Sequence, residues 1–139
     1  MNAYEIVLKS REKGRPTALK YIGSIVENFI ELHGDRRFAD DKAIVAGIGT
    51  ISGMPVTVIG IEKGSDTHDK IAHNFGCAHP EGYRKAVRLM KEAEKFHRPV
   101  LCFVDTSGAY CGIGAEERGQ SEAIAMSILD MIRLKTPTL

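Results

Sequence analysis

A short apolar segment between two long amphipathic ones most constrains the fold of this chain. Residues 99–105 predict a strand that is apolar on both faces. Apolar residues recur at helical spacing before this segment, over 80–96, and after it, over 114–134. A strand that is apolar on both faces has to be covered on both, and the flanking helices are placed to supply the cover. The sequence therefore predicts an α/β fold.

The first sixty residues predict a helix and a hairpin. After a polar lead-in over residues 1–16, apolar residues at helical spacing predict a helix over 19–30, and Thr17 is placed to cap it. The β-branched segments 43–51 and 56–61, joined by a turn that contains glycine and proline, predict two antiparallel strands. The predicted order is therefore helix, hairpin, helix, strand, helix.

The sequence predicts which residues of the two later helices are buried and which are exposed. A polar loop over 62–79, with room for one helical turn, leads into the helix that Pro80 opens. Met90 and Phe96 belong to the predicted buried stripe of this helix. The basic residues of this helix are expected to form a solvated face, and contact with a phosphate or a partner surface is the alternative. These residues are Arg84, Lys85, Arg88 and Lys91. The predicted buried stripe of the last helix comprises Ala115, Ile124, Ala125, Ile128, Leu129 and Ile132.

The composition argues against several classes of protein. Nineteen basic and eighteen acidic residues leave a formal net charge of +1, so neither a nucleic-acid groove nor attraction to anionic membranes is expected. The apolar runs are too short to span a bilayer and no signal-peptide core is present, which makes the cytoplasm the expected location. No two of the three cysteines form a C-x-x-C pair, so neither a disulfide scaffold nor a zinc site is indicated. Cys102 is predicted in the core of a strand, and Cys77 and Cys111 are predicted as free thiols in loops.

The last five residues repeat an earlier pattern. Residues 135–139 resemble 98–101, where a helix end is followed by proline and the first residues of a strand. A strand that begins and does not continue predicts a fragment of a longer protein. The expected organisation is one incomplete domain, with residues 1–16 as the lead-in and 17–139 as the core.

The segment 104–120 follows the third predicted strand and contains the candidate site. Ligands of α/β folds bind at the carboxyl ends of strands, and residues 105–109 lie at such an end. Three glycines, Gly108, Gly112 and Gly114, are expected to allow positive φ and a close approach to backbone N–H groups, an arrangement that stabilises an oxyanion. The same pattern is found in tight connections without a function. It matches neither a P-loop nor the G-x-G-x-x-G fingerprint.

Several motifs together resemble one family. They are ADDKAIVAGIG over 39–49, NFG over 74–76, PEGYRKAVRLM over 80–90 and VDTSGAYCGIGAEERGQSEAIA over 104–125. The chain is similar, from about residue 15 to residue 139, to the alpha subunit of the carboxyltransferase of bacterial acetyl-CoA carboxylase. The fold that this resemblance implies is the crotonase-like (Clp/crotonase) spiral of β-β-α units, here incomplete.

The resemblance also implies a reaction, a cofactor and partners. The family transfers a carboxyl group from carboxybiotin, held on a carrier protein, to acetyl-CoA and gives malonyl-CoA for fatty acid synthesis. The implied partners are a beta subunit with a zinc ribbon, the biotin carboxyl carrier protein and biotin carboxylase, with two alpha and two beta subunits in the carboxyltransferase. The alpha subunit holds the biotin side, and no metal is expected in this chain.

The implied site lies in the glycine-rich segment. Gly108 and Ala109 are the expected backbone oxyanion donors, and the pocket is expected to be shaped by Thr106, Ser107, Tyr110 and Gly112. Glu116, Glu117 and Arg118 are assigned as helix-start charges that fix the loop or contact the beta subunit, with a purely structural ion-paired helix end as the alternative.

The chain departs from the family pattern at two places. Ser107 and Cys111 replace prolines, which predicts a more mobile loop. A turn of the form G-E-G-G-S-G-G-A, which supplies the main biotin oxyanion donors, follows the position of Leu139 in the family. The chain alone is therefore expected to be inactive.

Other interpretations stay open. Lys63 is interpreted as a solvated lysine, with a position near the ligand or an interface as the alternative, and His68, His73 and His79 lack a metal-ligand spacing. A crotonase-like hydratase would need glutamates at the pocket, and a serine hydrolase would need a histidine as base for Ser107. A fragment that only binds a partner or self-associates is the non-enzymatic alternative.

Overall fold

The computed structural model describes residues 2–139. The first half contains five elements, of which the first three are helix α1 over Ala3–Ser10, helix α2 over Ala18–Ile25 and strand β1 over Glu27–Glu31. Strands β2, Ile44–Ile51, and β3, Met54–Ile61, form the predicted hairpin.

The second half contains four helices and one strand. Helix α3 covers Thr67–Ala72 and is followed by one 3-10 turn over Asn74–Gly76. Helix α4 covers Pro80–Lys95, and strand β4 covers Val100–Phe103. Helices α5, Ile113–Glu117, and α6, Gln120–Arg133, complete the described chain. None of the helices within residues 2–139 is both long and apolar enough to cross a membrane.

The four strands form one sheet in the order β1-β2-β3-β4. The pairs β1–β2 and β2–β3 are antiparallel, and β3–β4 is parallel. Beyond β4, Thr138 pairs in parallel with Val100, and Cys102 N donates to Leu139 O at 2.8 Å. The strand start predicted at the end of the chain therefore adds to the sheet.

Alternating side chains of the hairpin fill two apolar clusters on opposite faces of the sheet. Ile44 and Ile59 pack in one cluster with Leu89 of α4, and Val45 and Val58 pack in the other with α2. This alternation is the period-two pattern of a strand. The prediction that helices cover both faces is confirmed for β4, since Val100 joins the α4 cluster and Phe103 stacks on Tyr21 of α2 at 5.5 Å.

The predicted helix over 19–30 is wrong in its second half. Helix α2 ends at Ile25, and residues 27–31 form a strand that pairs with β2. The sheet pairs Ile30 with Ile48 and has a bulge between Glu27 and Ile30, where Asn28 has a φ of 52°. Pairing with the hairpin outweighs the local helical period. Thr17 lies at the N-cap, but its side chain makes no capping hydrogen bond.

The predicted single helix over 114–134 is two helices. Gly119 has a left-handed φ of 81° and separates α5 from α6. Ala115 is buried and Ile124 half-buried, but the rest of the predicted stripe is exposed: Ala125, Ile128, Leu129 and Ile132. The residues that α6 buries are Gln120 and Ala123, because α6 packs on α4 with the face that carries them.

Two predictions on α4 are also wrong. Phe96 is 56% exposed, and the cationic groups of Lys95 and Arg98 lie over its ring. Lys85 is fully buried, where its Nζ donates to Asp40 Oδ1 at 2.6 Å and to the carbonyl of Asp41 at 2.8 Å. Arg84, Lys85 and Arg88 of this face therefore bind the segment 33–41, whereas the exposed Lys91 pairs with Asp130 of α6.

Candidate active-site loop and adjoining cavity

The site segment leaves the sheet at the carboxyl end of β4, as predicted. Residues 106–111 are exposed, and the segment is attached to the rest of the fold at its two ends. At its start Asp105 Oδ1 lies 2.5 Å from Lys63 Nζ, an ion pair with both side chains largely shielded from solvent. Lys63 is therefore not the solvated lysine that the sequence favoured, since it follows β3 and fixes the beginning of the loop.

Thr106 connects the loop to the 3-10 turn. Its Oγ1 donates to the carbonyl of Gly76 at 2.7 Å and accepts the N–H of Gly108 at 3.0 Å. One hydroxyl thus sets both the position of the loop and the conformation of Gly108. Thr106 therefore shapes the loop, and its role in a ligand pocket stays a prediction.

The 3-10 turn has an unusual backbone that brings it close to the loop. Asn74, Phe75 and Gly76 have φ values of 50°, 55° and 75°. A Cβ at Gly76 would lie 2.9 Å from Lys63 Cγ and 3.3 Å from the carbonyl oxygen of Asp105. Glycine is required here because of both the conformation and the close approach. Consecutive residues in sparsely populated conformations cluster at functional sites, and this turn adjoins the loop.

Tyr110 anchors the far end of the loop. Its N–H donates to the carbonyl of Ala78 at 3.1 Å, and its ring stacks on His79 with 3.8 Å between centroids. Gln120, which is 2% exposed, donates from Nε2 to the carbonyls of Ala78 at 2.8 Å and Tyr110 at 3.3 Å. The amide of Gln120 therefore holds the loop and the segment before α4 together.

The two predicted backbone donors differ in their availability. The N–H of Gly108 is bonded to Thr106, whereas the N–H of Ala109 makes no hydrogen bond to any residue of 2–139. Gly108 has a φ of 154°, and a Cβ there would meet no atom within 4 Å, so the loop is open to a ligand. Positive φ was also expected at Gly112 and Gly114, but Gly112 has a φ of −105° and Gly114 is not among the glycines with positive φ.

An ion-pair network supports the start of α5 and α6. Arg118 Nε pairs with Glu81 of α4, and the Arg118 guanidinium lies over the ring of Phe38 with 4.5 Å to its centroid. Arg84 donates to the carbonyl of Arg118 at 3.1 Å and to Asp35 Oδ2 at 2.8 Å. Arg118 is therefore part of an ion-paired helix junction, which was the structural alternative for this residue.

Burial and hydrogen bonds act against each other on Asp35. Burial alone would raise the pKa of this carboxyl group. The N–H groups of Phe38 and Arg37 and the guanidinium of Arg84 outweigh burial and lower the pKa. Asp35 therefore stays ionised and holds Arg84 against the helix junction.

A cavity of about 310 Å³ lies beside the start of the loop. Residues 10–17 form one wall, residues 63–65 form a second, and Asp105 and Ser107 close it towards the loop. Of the predicted pocket residues only Ser107 lines this cavity, while Tyr110 and Gly112 lie at the other end of the loop.

The residues that other chemistries would need are not assembled. Glu116 and Glu117 are exposed and do not line the cavity, in contrast to the glutamates of a hydratase. Within residues 2–139, no hydrogen bond joins Ser107 to a histidine, and His73 and His79 bond elsewhere, to Asp69 and Asn74. Residues 2–139 contain no group of three His, Cys, Asp or Glu side chains close enough to hold a metal ion. Cys77, Cys102 and Cys111 are free thiols.

Sequence reasoning missed the residues that hold the loop from a distance. Asp41 is 4% exposed and accepts the N–H of His79 at 2.7 Å, which fixes the segment before α4. Glu81 and Gln120 lie inside motifs already noted, but their pairing with Arg118 and Ala78 joins residues about forty positions apart. Gly76 gave the one local signal, because a glycine in a polar loop marks a special backbone conformation.

Comparison with known proteins gives a consistent family match. The family described as acetyl co-enzyme A carboxylase carboxyltransferase-like matches residues 1–139. The acetyl-coenzyme A carboxylase carboxyl transferase subunit alpha of Ruminiclostridium cellulolyticum is 63% identical over the whole chain, which covers 54% of that protein. The protein of the same name from Alkaliphilus oremlandii is 60% identical, and the chain covers 44% of it. The chain thus spans about half the length of the curated relatives it matches.

Solved structures agree on the fold. The chain matches a single-chain, multi-domain long-chain acyl-CoA carboxylase with a TM-score of 0.68 and 25% identity, over 88% of this chain and 12% of that one. It matches the 12S transcarboxylase, solved with methylmalonyl-coenzyme A, with a TM-score of 0.62 and 22% identity, over 90% and 24% of the two chains. The predicted crotonase-like α/β fold is confirmed by these neighbours.

Proposed function

Because the chain belongs to the acetyl-coenzyme A carboxylase carboxyltransferase-like family, we propose that it supplies the biotin side of a carboxyltransferase active site. The reaction is the transfer of a carboxyl group from carboxybiotin to acetyl-CoA to give malonyl-CoA. The observation that supports this is the match of the whole chain to the family together with an exposed, donor-bearing loop at the end of β4. Since the chain spans about half of its relatives, the activity is assigned to the full-length gene product.

The loop suits a ligand with a polar carbonyl-type oxygen. The open space above Gly108 admits a ligand to the backbone, and the Ala109 N–H is an available donor. When bound, biotin supplies the carboxyl group and a ureido oxygen on which negative charge develops. A preorganised N–H donor at such an oxygen contributes about 3 to 4 kcal/mol to the transition state.

Each neighbouring residue has a role in holding that donor. Thr106 fixes the conformation before Ala109, and the Lys63–Asp105 ion pair fixes the position where the loop leaves β4. Tyr110, held by Ala78 and Gln120, fixes the position after it. We assign Ser107 and Gly112 to the shape of the pocket, and we expect further donors from the glycine-rich turn that follows position 139 in the family.

The partners follow from the family assignment. We propose a beta subunit with a zinc ribbon for the acetyl-CoA side and the biotin carboxyl carrier protein as the source of the carboxyl group, charged by biotin carboxylase. The exposed apolar face of α6, with Ile128 and Ile132 at 57% and 77% exposure, is available for such an assembly. The cytoplasm is the proposed location, because the reaction needs soluble carrier and coenzyme.

The test removes the proposed donor in the full-length gene product, assayed with the beta subunit and carboxylated carrier. Replacing Ala109 by proline removes the N–H, and we expect malonyl-CoA formation to fall about 10²- to 10³-fold. Ser24→Ala, at an exposed position of α2 outside the loop, is the control, with activity expected within about threefold of the wild type. Thermal unfolding of both variants separates loss of the donor from loss of folding. Full activity of Ala109→Pro would contradict the donor role, and loss of activity in a third variant, Ser107→Ala, would favour nucleophilic chemistry instead.

A further inference from the structure

The cavity beside the loop has a concentration of positive charge that the biotin site does not explain. Its basic lining residues are Arg11, Lys13, Arg15, Lys63 and Lys70, and its acidic ones are Glu12 and Asp105. The lining therefore carries three net positive charges, whereas the whole chain carries one. The remaining residues are net negative, so the positive charge is a property of this cavity.

Most of these cations lack a partner within the protein. Lys63 is paired with Asp105. The side chains of the other four, Arg11, Lys13, Arg15 and Lys70, form no ion pair or hydrogen bond within the described residues. On α4, by contrast, Arg84 pairs with Asp35, Lys85 with Asp40 and Lys91 with Asp130. Four unpaired cations around one concave space leave it attractive to an anion.

A buried carboxylate fixes the two walls of the cavity. Glu62 is 1% exposed, its Oε2 accepts the N–H of Leu19 at 2.8 Å, and its Oε1 accepts the N–H of Gly64 at 2.7 Å. Leu19 follows the wall formed by residues 10–17, and Gly64 belongs to the other wall. Glu62 therefore joins the second wall to the start of α2, where the first wall ends, and this connection is present before any ligand binds, which lowers the cost of binding.

We infer that this cavity binds a phosphate-bearing ligand through Arg11, Lys13, Arg15 and Lys70. A di- or polyanionic phosphate matches three net charges better than a single carboxylate does, and arginine forks bind phosphate oxygens in pairs. A volume of about 310 Å³ is at the small end for ligand sites and suits the phosphate portion of a molecule. The inference goes beyond carboxyl transfer, since the binding can be measured whether or not the chain is catalytic.

Two sources of phosphate are chemically equivalent at this site, and titration with different ligands distinguishes them. The first is a small free phosphate compound, for which pyrophosphate is the probe. The second is the phosphate end of a coenzyme thioester, for which coenzyme A is the probe. Pantetheine, which lacks phosphate, is the third ligand. Calorimetric titration of the full-length gene product at low salt measures all three.

The variants test the location of the site. The double variant Arg11→Gln/Arg15→Gln removes two lining charges, and we expect affinity for pyrophosphate to fall at least tenfold, about three- to fivefold for each exposed cation. The matched control, Arg37→Gln/Lys42→Gln, removes two exposed charges elsewhere and should change affinity less than twofold. Lys70→Gln repeats the test from the other wall. All these side chains except the half-buried Lys70 are exposed and outside the core, so the unfolding temperature should not change.

Each outcome decides the inference. Saturable binding of pyrophosphate or coenzyme A that is lost in the lining variant and kept in the control supports the site. Tighter binding of coenzyme A, with no binding of pantetheine, identifies the coenzyme as the source, and tighter pyrophosphate identifies a free phosphate compound. No saturable binding of either probe, or equal loss in lining and control variants, overturns it. Failure of the carboxyltransferase assay with intact phosphate binding would count only against the proposed function.

Discussion

The ion pair of Lys85 and Asp40 predicts a different loss of stability for each partner, because only Lys85 is fully buried. Lys85 is fully buried, while the side chain of Asp40 is 32% exposed. Replacing Asp40 by asparagine removes the counter-charge and leaves a buried ammonium with only neutral acceptors, among them the carbonyl of Asp41. Replacing Lys85 by methionine leaves a carboxylate that water can reach. We therefore expect Asp40→Asn to lower the free energy of unfolding by about 3 kcal/mol and Lys85→Met by about 1 kcal/mol.

The pH dependence provides an independent measure of the same pair. Burial alone would raise the pKa of Asp40, but the hydrogen bond from Lys85 and the N–H of Gly34 outweigh it and lower the pKa from 3.8 to about 2. Because the folded pKa lies below the unfolded value, this stabilisation is present above pH 3.8 and is lost as the pH falls through about 2. The shift corresponds to about 2 kcal/mol at neutral pH.

The assay is urea unfolding, followed by circular dichroism between pH 7 and pH 2 on the full-length gene product. The difference in stability between wild type and Asp40→Asn should shrink by about 2 kcal/mol across that range. The double variant Asp40→Asn/Lys85→Met should be no less stable than Asp40→Asn alone, because it removes the orphaned charge. A smaller loss in Asp40→Asn than in Lys85→Met, or a difference that does not vary with pH, would refute this account.

Three further predictions concern the core and the loop. Leu89→Ala, at a fully buried position of α4, should cost 2 to 5 kcal/mol in urea unfolding, against less than about 0.5 kcal/mol for the exposed Phe96→Ser. Thr106→Val should lower carboxyltransferase activity at least tenfold while Thr106→Ser keeps it, since only the hydroxyl bridges Gly76 and Gly108; equal activity of the two variants would contradict this role. Gly76→Ala should reduce stability by at least about 1 kcal/mol because of its φ of 75° and the contact with Lys63, and an unchanged melting temperature would disprove the strain.

Local pattern predicted the hairpin, α4 and β4, because each has a strong period and clear boundary residues. It failed over residues 26–31, where the apolar spacing fits a helix as well as it fits α2 followed by a strand. The sheet decides, because pairing of Ile30 with Ile48 is a contact between distant residues that no local window contains. The sequence did contain one sign of a break at Asn28. Asparagine tolerates positive φ better than most residues, and in the structure Asn28 has a φ of 52°.

The second long helix failed for a related reason. The prediction of one continuous apolar stripe over 114–134 did not take Gly119 into account. The left-handed conformation of Gly119 lets α6 start in a new direction. The face of α6 that packs on α4 is then set by Gln120 and Ala123, and the larger apolar residues are left exposed. Hydrophobic periodicity identifies an apolar face, but the phase of a helix after a break depends on its packing partner.

The location of the candidate loop was predictable because strand ends are local features, whereas the contacts that support the loop are not local. The position of the loop follows from the strand before it and the glycines within it. The attachment of Asp105 to Lys63 and of Tyr110 to Gln120 joins residues through the fold. Such pairs become visible only when β3 and β4 lie side by side and α6 packs on α4.

The residues that carry the family resemblance therefore divide into two physical groups. In the proposed function, the loop presents the Ala109 N–H to a ligand beside the open space at Gly108, and that chemistry needs no side chain. Arg118 and Gln120, in the same block, make no contact with the open side of the loop, but they bind Glu81, Ala78 and Tyr110 from behind it. A backbone donor can be preorganised only if the chain on either side of it is held, and a flexible loop with the same glycines would have to be ordered by its ligand at a cost in affinity. The charged and amide residues of the motif supply this support, which explains why the proposed site, which uses no catalytic side chain, would still be encoded by a distinctive sequence.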